Sequence, residues 1–333
     1  MSEWTPRVVV LSGGVGGARL VHGLAQLLPP ERLTVVVNTG DDFEHLGLRI
    51  CPDLDTVMYT LAGLSNEPRG WGLERESHEA LAMCERLGHE PWFALSDQDL
   101  GTHLRRTQLL RDGWTLTHVT AELCRRLDVA HRLLPMSDAP CPTTLVTADG
   151  RELGLQDWLV RHRAAPALAA VRSPADPGPT RAVLDAIAEA DLVVLTPSNP
   201  WVSIEPILAR PGLRARLATR AVIGVSPLIG GRAVKGPLEA MVRSLLGVDP
   251  SASVIASRYA DILDGWVVAP GDGPSDTGQS GTGQSGADQS DASPSAAGRV
   301  RPRVFERDIL LPTLTERTRF ARELLELAQE VAP

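Results

Sequence analysis

The sequence predicts an α/β fold built on a doubly wound, mainly parallel sheet, and three observations carry that expectation. An apolar run from Arg7 to Ser12 passes through the glycine-rich turn Gly13-Gly14-Val15-Gly16-Gly17 into an amphipathic helix stopped by Pro29 and Pro30, and a β-branched run, Thr34 to Val37, follows. Strand, turn, helix and strand in that order form the opening unit of such a sheet. The rhythm returns late in the chain, with a helix over 181–190 and strands over 191–195 and 221–225. Three of these strands end in polar turns: Asn38-Thr39-Gly40-Asp41-Asp42, Thr196-Pro197-Ser198-Asn199-Pro200 and Ser226-Pro227-Leu228-Ile229-Gly230-Gly231. Ligands of open parallel sheets bind outside the carboxyl ends of strands, so the turns are expected to share one crevice.

The chain has 333 residues, room for one large α/β domain or two modest ones, and its 43% apolar and 22% charged residues are ordinary for a soluble globular protein. A net charge of -8 argues against a nucleic-acid partner. No apolar run approaches the roughly 20 residues of a membrane span, and the start does not read as a signal peptide, so a cytoplasmic location is expected. Cys51, Cys84, Cys124 and Cys141 are too widely spaced for a zinc or redox motif and read as reduced.

Taken in order, Gly13, Gly14, Gly16 and Gly17 would let backbone N–H groups approach a phosphate at the helix start, where the dipole favours negative charge; close strand–helix packing is the plainer account. The turn is not a dinucleotide fingerprint, because Arg19 stands where Gly or Ala is needed, and no Gly-Lys-Ser/Thr follows. Asp41, Asp42, Asp53 and Asp55 fall within fifteen residues. Pro52 is read as blocking a helix, which would leave Asp53 and Asp55 on one side of an extended segment. Clustered carboxylates repel one another unless a divalent cation neutralises them, which points to Mg2+; the plainer account is that loops collect Asp and Asn.

A short helix is expected over 56–63 and another ending near Leu87. In Ser96-Asp97-Gln98-Asp99-Leu100-Gly101-Thr102-His103 the two aspartates either cap the helix that carries Arg105 and Arg106 or bind hydroxyls of a polar ligand, with His103 and Arg105 beside them. Strand character resumes at 143–147, and 151–171 reads as part of an inserted subdomain. Lys235 is the only lysine among many arginines, which marks it as a place where arginine does not fit, or as chance survival. The segment 253–256, a helix over 257–263 and a strand over 266–269 complete the core pattern. The Gly/Ser/Gln-rich tract 271–298 is expected to be a disordered insertion. A last strand over 304–311 and a helix over 315–331 capped by Thr315 close the chain.

In combination these motifs resemble the CofD/FbiA family, the 2-phospho-L-lactate (phosphoenolpyruvate) transferases of coenzyme F420 biosynthesis. The likeness runs through Ser12-Gly13-Gly14-Val15-Gly16-Gly17-Ala18, Asn38-Thr39-Gly40-Asp41-Asp42, Cys51-Pro52-Asp53-Leu54-Asp55-Thr56, Gly70-Trp71-Gly72, Asp97-Gln98-Asp99, Leu134-Pro135-Met136-Ser137-Asp138 and the two late strand ends. It implies a Rossmann-like core with a smaller inserted α/β subdomain, roughly 64–175, commonly in a homodimer. It implies a magnesium-dependent transfer of a phospho-acid from its guanosine diphosphate ester to the ribityl hydroxyl of a deazaflavin, 7,8-didemethyl-8-hydroxy-5-deazariboflavin, with release of GMP. The motifs look closer to the enolpyruvyl-using bacterial branch.

On that resemblance Asp41, Asp42 and Asp55 would hold Mg2+, and Asp55 or Asp97 would orient or deprotonate the hydroxyl. Gly13, Gly14, Gly16, Gly17, Asn38, Asp53, Asp99, Thr102, His103, Ser198, Asn199, Ser226 and Lys235 would bind the substrates, and Trp71 or Trp92 could stack on the deazaflavin. Gln98 departs from the Arg usual in the family and would weaken an anionic contact unless Arg105 supplies it. Two other readings stay open: an NAD-dependent oxidoreductase in which Asp41 holds the ribose, and a non-catalytic nucleotide- or deazaflavin-binding protein.

Overall fold

A computed structural model describes residues 5–273 and 301–331. The opening unit is β1 (Val8–Ser12), α1 (Gly14–Ala25) and β2 (Leu33–Val37), followed by a hairpin of β3 (Phe43–His45) and β4 (Leu48–Ile50). Four helices follow: α2 (Pro52–Leu61), α3 (Glu79–Arg86), α4 (Asp97–Arg111) and α5 (Leu116–Arg126). The chain returns to the main sheet at β5 (Arg132–Pro135) and leaves it again for a three-stranded antiparallel sheet of β6 (Thr144–Thr147), β7 (Glu152–Gly154) and β8 (Leu168–Arg172).

The second half runs through α6 (Arg181–Glu189), β9 (Leu192–Leu195), a wide helical turn over Pro200–Ile204, α7 (Glu205–Leu208), α8 (Leu213–Leu217) and β10 (Ala221–Val225). A small hairpin, β11 (Leu228–Ile229) and β12 (Arg232–Ala233), precedes α9 (Leu238–Leu246) and α10 (Ala252–Ala256). Strands β13 (Gly265–Val268) and β14 (Arg303–Glu306) and helix α11 (Leu314–Val331) complete it.

The seven-stranded sheet has the order β14-β13-β10-β9-β1-β2-β5, and every neighbouring pair is parallel. Successive side chains of a strand point to opposite faces. Val8 and Val10 accordingly join a core with Leu20 and Leu24 of α1, Val57 of α2 and Phe320 and Leu324 of α11, whereas Val9 and Leu11 join one with Ile187 of α6, Leu217 of α8 and Met241 of α9. Both faces are covered, as a parallel sheet requires. Helix α11 crosses α1 so closely that a Cβ on Gly23 would collide with the Arg317 carbonyl oxygen.

Strand order reverses between β1 and β9, since the chain proceeds outward through β2 and β5 on one side and through β10 and β13 on the other. This switch point opens a crevice at the carboxyl ends of β1 and β9.

Local expectations differ at the end of the chain. Strand β14 stops at Glu306 because its partner β13 stops at Val268, opposite it. The cap of α11 is Thr313, two residues before Thr315: Thr313 Oγ1 accepts the Glu316 amide while Glu316 reaches back to the Thr313 amide at 3.0 Å, a capping box. Residues 253–256 lie in α10, capped by Ser251. The tract 271–298 lies, beyond Gly273, outside the described residues. Among the described residues no helix is long and apolar enough to cross a membrane.

Candidate active site

A cleft of about 510 Å³ opens at the switch point, bordered by the Gly13–Gly16 turn, Asp41, Asp53, Asp55, Asp99, His103, Ser198, Asn199 and Lys235. Its floor is the start of α1. Gly13 occupies the cap position in extended conformation, with no side-chain cap of its own. The missing acceptor comes from elsewhere: Asp53 Oδ1 accepts the Gly14 amide at 2.6 Å. Asn38, at the end of β2, donates to Asp53 Oδ2 at 2.9 Å and to the Val202 carbonyl at 3.0 Å, and its amide lies 3.4 Å from Asp41 Oδ1. Ser198, after β9, donates to the Gly13 carbonyl at 2.6 Å. The ends of β2 and β9 thus hold the turn after β1 from both sides.

Pro52 does not block a helix; it starts one. It stands at the first position of α2, where its missing N–H has no partner to lose. Two positions on a helix are about 200° apart, so Asp53 and Asp55 diverge instead of sharing a side. Asp53 turns to the glycine turn. Asp55 turns to α4, where Arg106 Nη1 donates to Asp55 Oδ2 at 3.1 Å and Nη2 grips Oδ1, a two-pronged ion pair with both groups buried.

His103 continues this wall, with Nδ1 at 3.2 Å from Arg106 Nη1 and Nε2 at 3.2 Å from Asp99 Oδ2. Tyr59 Oη lies 2.7 Å from both Asp99 Oδ1 and Thr102 Oγ1. Arg106 and Tyr59 were absent from the expected site. The signal was helical spacing: 99, 103 and 106 share one face of α4, whereas Arg105 points outward to Gln108.

The four aspartates differ in electrostatic setting. Burial pushes Asp41 well above the usual carboxylate range, and the charges of Asp53 and Asp42 push it further. Its own backbone amide, Gln156 at 3.3 Å and the long contact from Asn38 oppose this. Burial raises Asp53 to about 6, against the hydrogen bonds from Asn38 and Gly14. Burial raises Asp42 to about 7 despite Arg49, whose guanidinium lies 3.1 Å away. Burial also raises Asp55, opposed by Arg106, while Asp99 stays low because His103, Tyr59 and Arg106 together outweigh its burial.

Other expected site residues lie elsewhere. Asp97 accepts from Ser77 Oγ and the amides of Glu79 and Ala80, so it caps α3 and does not border the cleft. Asp42 faces Arg49, and Thr102 stands behind Asp99 beside Tyr59. Ser226 is buried against Leu228 in its own turn, and Gly17 lets α1 pack on Ser12, Thr196 and Ser198. Gln98 reaches the Arg75 carbonyl on the surface, and neither it nor Arg105 borders the cleft. Trp71 borders the cleft, whereas Trp92 packs among Phe43, His45 and Phe93 under Arg161.

A turn built this way, at a helix start on the switch point and walled by carboxylates, has relatives. The profile of the family described as 2-phospho-L-lactate transferase CofD matches residues 8–299. The chain belongs to the CofD family. Proteins named phosphoenolpyruvate transferase from Thermobifida fusca, Kitasatospora aureofaciens and Mycobacterium ulcerans are 46%, 45% and 45% identical to it, over 80% of this chain in each case and 87%, 86% and 88% of theirs. A crystal structure of a Bacillus halodurans protein of the UPF0052 family shares the fold, with a TM-score of 0.54 at 20% identity over 81% of this chain and 82% of that one. Membership of the CofD family sets the oxidoreductase reading aside.

Proposed function

We propose that this CofD-family protein transfers an enolpyruvyl phosphate from its guanosine diphosphate ester to the ribityl hydroxyl of 7,8-didemethyl-8-hydroxy-5-deazariboflavin, as a step of coenzyme F420 formation. The names of its relatives support enolpyruvate as the acid. The observation that carries the reading is the meeting, in one cleft, of the glycine turn at the start of α1, whose Gly14 amide is held by Asp53, with the carboxylates of Asp41 and Asp53.

In the transfer the hydroxyl oxygen bonds to the phosphorus bearing the acid, the bond from that phosphorus to the GMP oxygen breaks, and the hydroxyl proton leaves to the departing GMP phosphate or to water. Little covalent work falls to the protein; positioning and charge stabilisation dominate. The turn beyond Gly14, at Val15 and Gly16, takes the diphosphate at the helix start, and Lys235 adds a positive charge at the rim. Asp99, held low by His103, Tyr59 and Arg106 together, orients the incoming hydroxyl. Asp55, held by Arg106, fixes this wall and does not take the hydroxyl proton.

The donor set fits Mg2+, which favours one or two carboxylates plus substrate oxygens. Asp41 fits it best, being buried beside Asp53 with no arginine in contact among the described residues, whereas Asp42 and Asp55 already pair with Arg49 and Arg106. Asp55, Asp99 and His103 also lie close enough to share an ion, but Arg106 supplies the positive charge there. When bound at Asp41, with Asp53 alongside, the ion would neutralise the diphosphate. The homodimer is part of this proposal and is read by sedimentation.

The test is mass spectrometry of products after incubation with the deazaflavin, magnesium and guanosine diphosphate esters of enolpyruvate, lactate and glycerate. A product heavier by one phospho-acid, formed together with GMP and only with magnesium, supports the reading and names the acid. No product with any ester would overturn it in favour of a non-catalytic binding protein.

A further inference from the structure

Between α2 and α3 the chain makes a strap, residues 64–76, which crosses the start of α1. It is stiffened internally: the Asn66 amide donates to the Gly72 carbonyl at 3.0 Å, the Gly70 amide to the Asn66 carbonyl at 2.7 Å, and the Glu74 amide to the Leu64 carbonyl at 2.9 Å. Gly70 has φ +76° and sits so tightly on Val15, in the glycine turn, that a Cβ would stand 2.6 Å from Val15 Cγ1. Trp71 and Gly72 border the cleft. The strap is therefore a roof over the turn that receives the diphosphate.

Three distant groups fasten it. Glu76 Oε1 accepts from the Leu73 amide at 2.7 Å and from Ser96, the cap of α4, at 2.6 Å. Lys235 donates to the Arg69 carbonyl from the segment between β12 and α9. The third fastening comes from the far end of the chain: Arg317 of α11, 1% exposed, reaches Glu67 with both terminal nitrogens, one at 2.9 Å. The guanidinium is aimed by the carbonyls of Leu311 and Pro312, at 3.2 and 3.1 Å, and by His22 Nδ1 of α1 at 3.1 Å. A buried guanidinium with four such partners has one orientation, and a two-pronged carboxylate contact passes that orientation on.

We propose that Arg317 is a positioning residue for the transfer: through Glu67 it holds the strap over the amino end of α1, so that Gly70 and Trp71 complete the donor phosphate site. The C-terminal helix thus touches no substrate and yet sets donor affinity. The kinetic part rests on the function proposed above; the structural part does not.

Two variants test it. Glu67→Gln keeps the fold, since Glu67 is half exposed, and Arg317→Gln removes the other partner. Hydrogen exchange on the full-length protein without ligand is expected to show the amides of Asn66, Gly70 and Glu74 exchanging about tenfold faster in either variant, with the sheet amides unchanged, as for local release of one segment. In the transfer assay the KM for the guanosine ester is expected to rise about fivefold while kcat changes less than about twofold and the deazaflavin KM stays constant.

Unchanged strap exchange in Glu67→Gln would overturn the lock. Faster strap exchange with an unchanged donor KM would overturn the positioning role. If the wild-type protein transfers none of the esters, the function fails, and the exchange result, read with GDP binding in place of KM, still decides for or against the lock.

Discussion

Arg106 of α4 closes on both carboxylate oxygens of Asp55 in the first turn of α2, with one contact at 3.1 Å and neither residue exposed to solvent. The pair links two helices across 51 residues of sequence, and its Asp55 borders the cleft. Removing one member strands a buried charge, which costs more than removing both. Arg106→Leu is expected to lower stability by about 3–5 kcal/mol, and the double variant Asp55→Leu/Arg106→Leu to recover part of that loss. Urea unfolding of the three proteins checks it; equal losses in single and double variants would show that packing, not charge, holds the helices.

Asp41 borders the cleft beside Asp53 with no arginine partner among the described residues, so its charge is unfavourable without a cation. Asp41→Asn should cut turnover by a hundredfold or more, an effect of about the size seen for loss of one strong electrostatic contact. Its melting temperature should be unchanged or higher, and magnesium should no longer raise it. Retention of both turnover and magnesium stabilisation would move the ion to another site.

The raised carboxylates make stability fall with pH. Asp42 at about 7 and Asp53 at about 6 both lie above the 3.8 of an ordinary Asp, so between those limits the folded chain holds protons that the unfolded chain has released. Their contribution is complete below the unfolded value and is lost as pH rises through the folded one. The melting temperature without magnesium is therefore expected to decline from about pH 4 to about pH 7, and Asp42→Asn to flatten that decline. Magnesium should stabilise more at the upper end, because its ligands must be ionised. A melting temperature that rises over this window in the wild type, with no change of slope in Asp42→Asn, would contradict the assignment.

Position 98 points away from the cleft, and Asp97 caps α3. Gln98→Arg should leave kcat/KM within about twofold for every donor ester. Asp97→Ala should lower the melting temperature while leaving the kinetic constants in place. A change of donor preference in Gln98→Arg would show that this surface reaches the substrate.

Much of the fold was legible because it rests on local pattern. Apolar runs at 8–12, 33–37, 192–195 and 221–225 are strands, and the polar turns after β1, β2 and β9 converge. The site was legible only in part. Reading Pro52 as a block put Asp53 and Asp55 on one side, whereas the helix that starts there sets them about 200° apart. The same one-step phase error placed Arg105 at the site when Arg106 is the inward residue. Ser226 looked like its counterparts after β2 and β9, but its hydroxyl closes its own turn.

Residue order alone, through periodicity and turn chemistry, was enough to set which segments are strands, which end of each carries polar groups, and that the aspartates gather near one strand end. Which aspartate keeps an uncompensated charge was settled only when distant elements came together. Arg106 neutralises Asp55 from 51 residues away, and Arg317 steadies Glu67 from 250 residues away. The physical reason is that hydrogen-bonded periodicity is a property of neighbours in sequence, whereas desolvation and charge pairing depend on distance through a low-dielectric interior that exists only after the chain has packed.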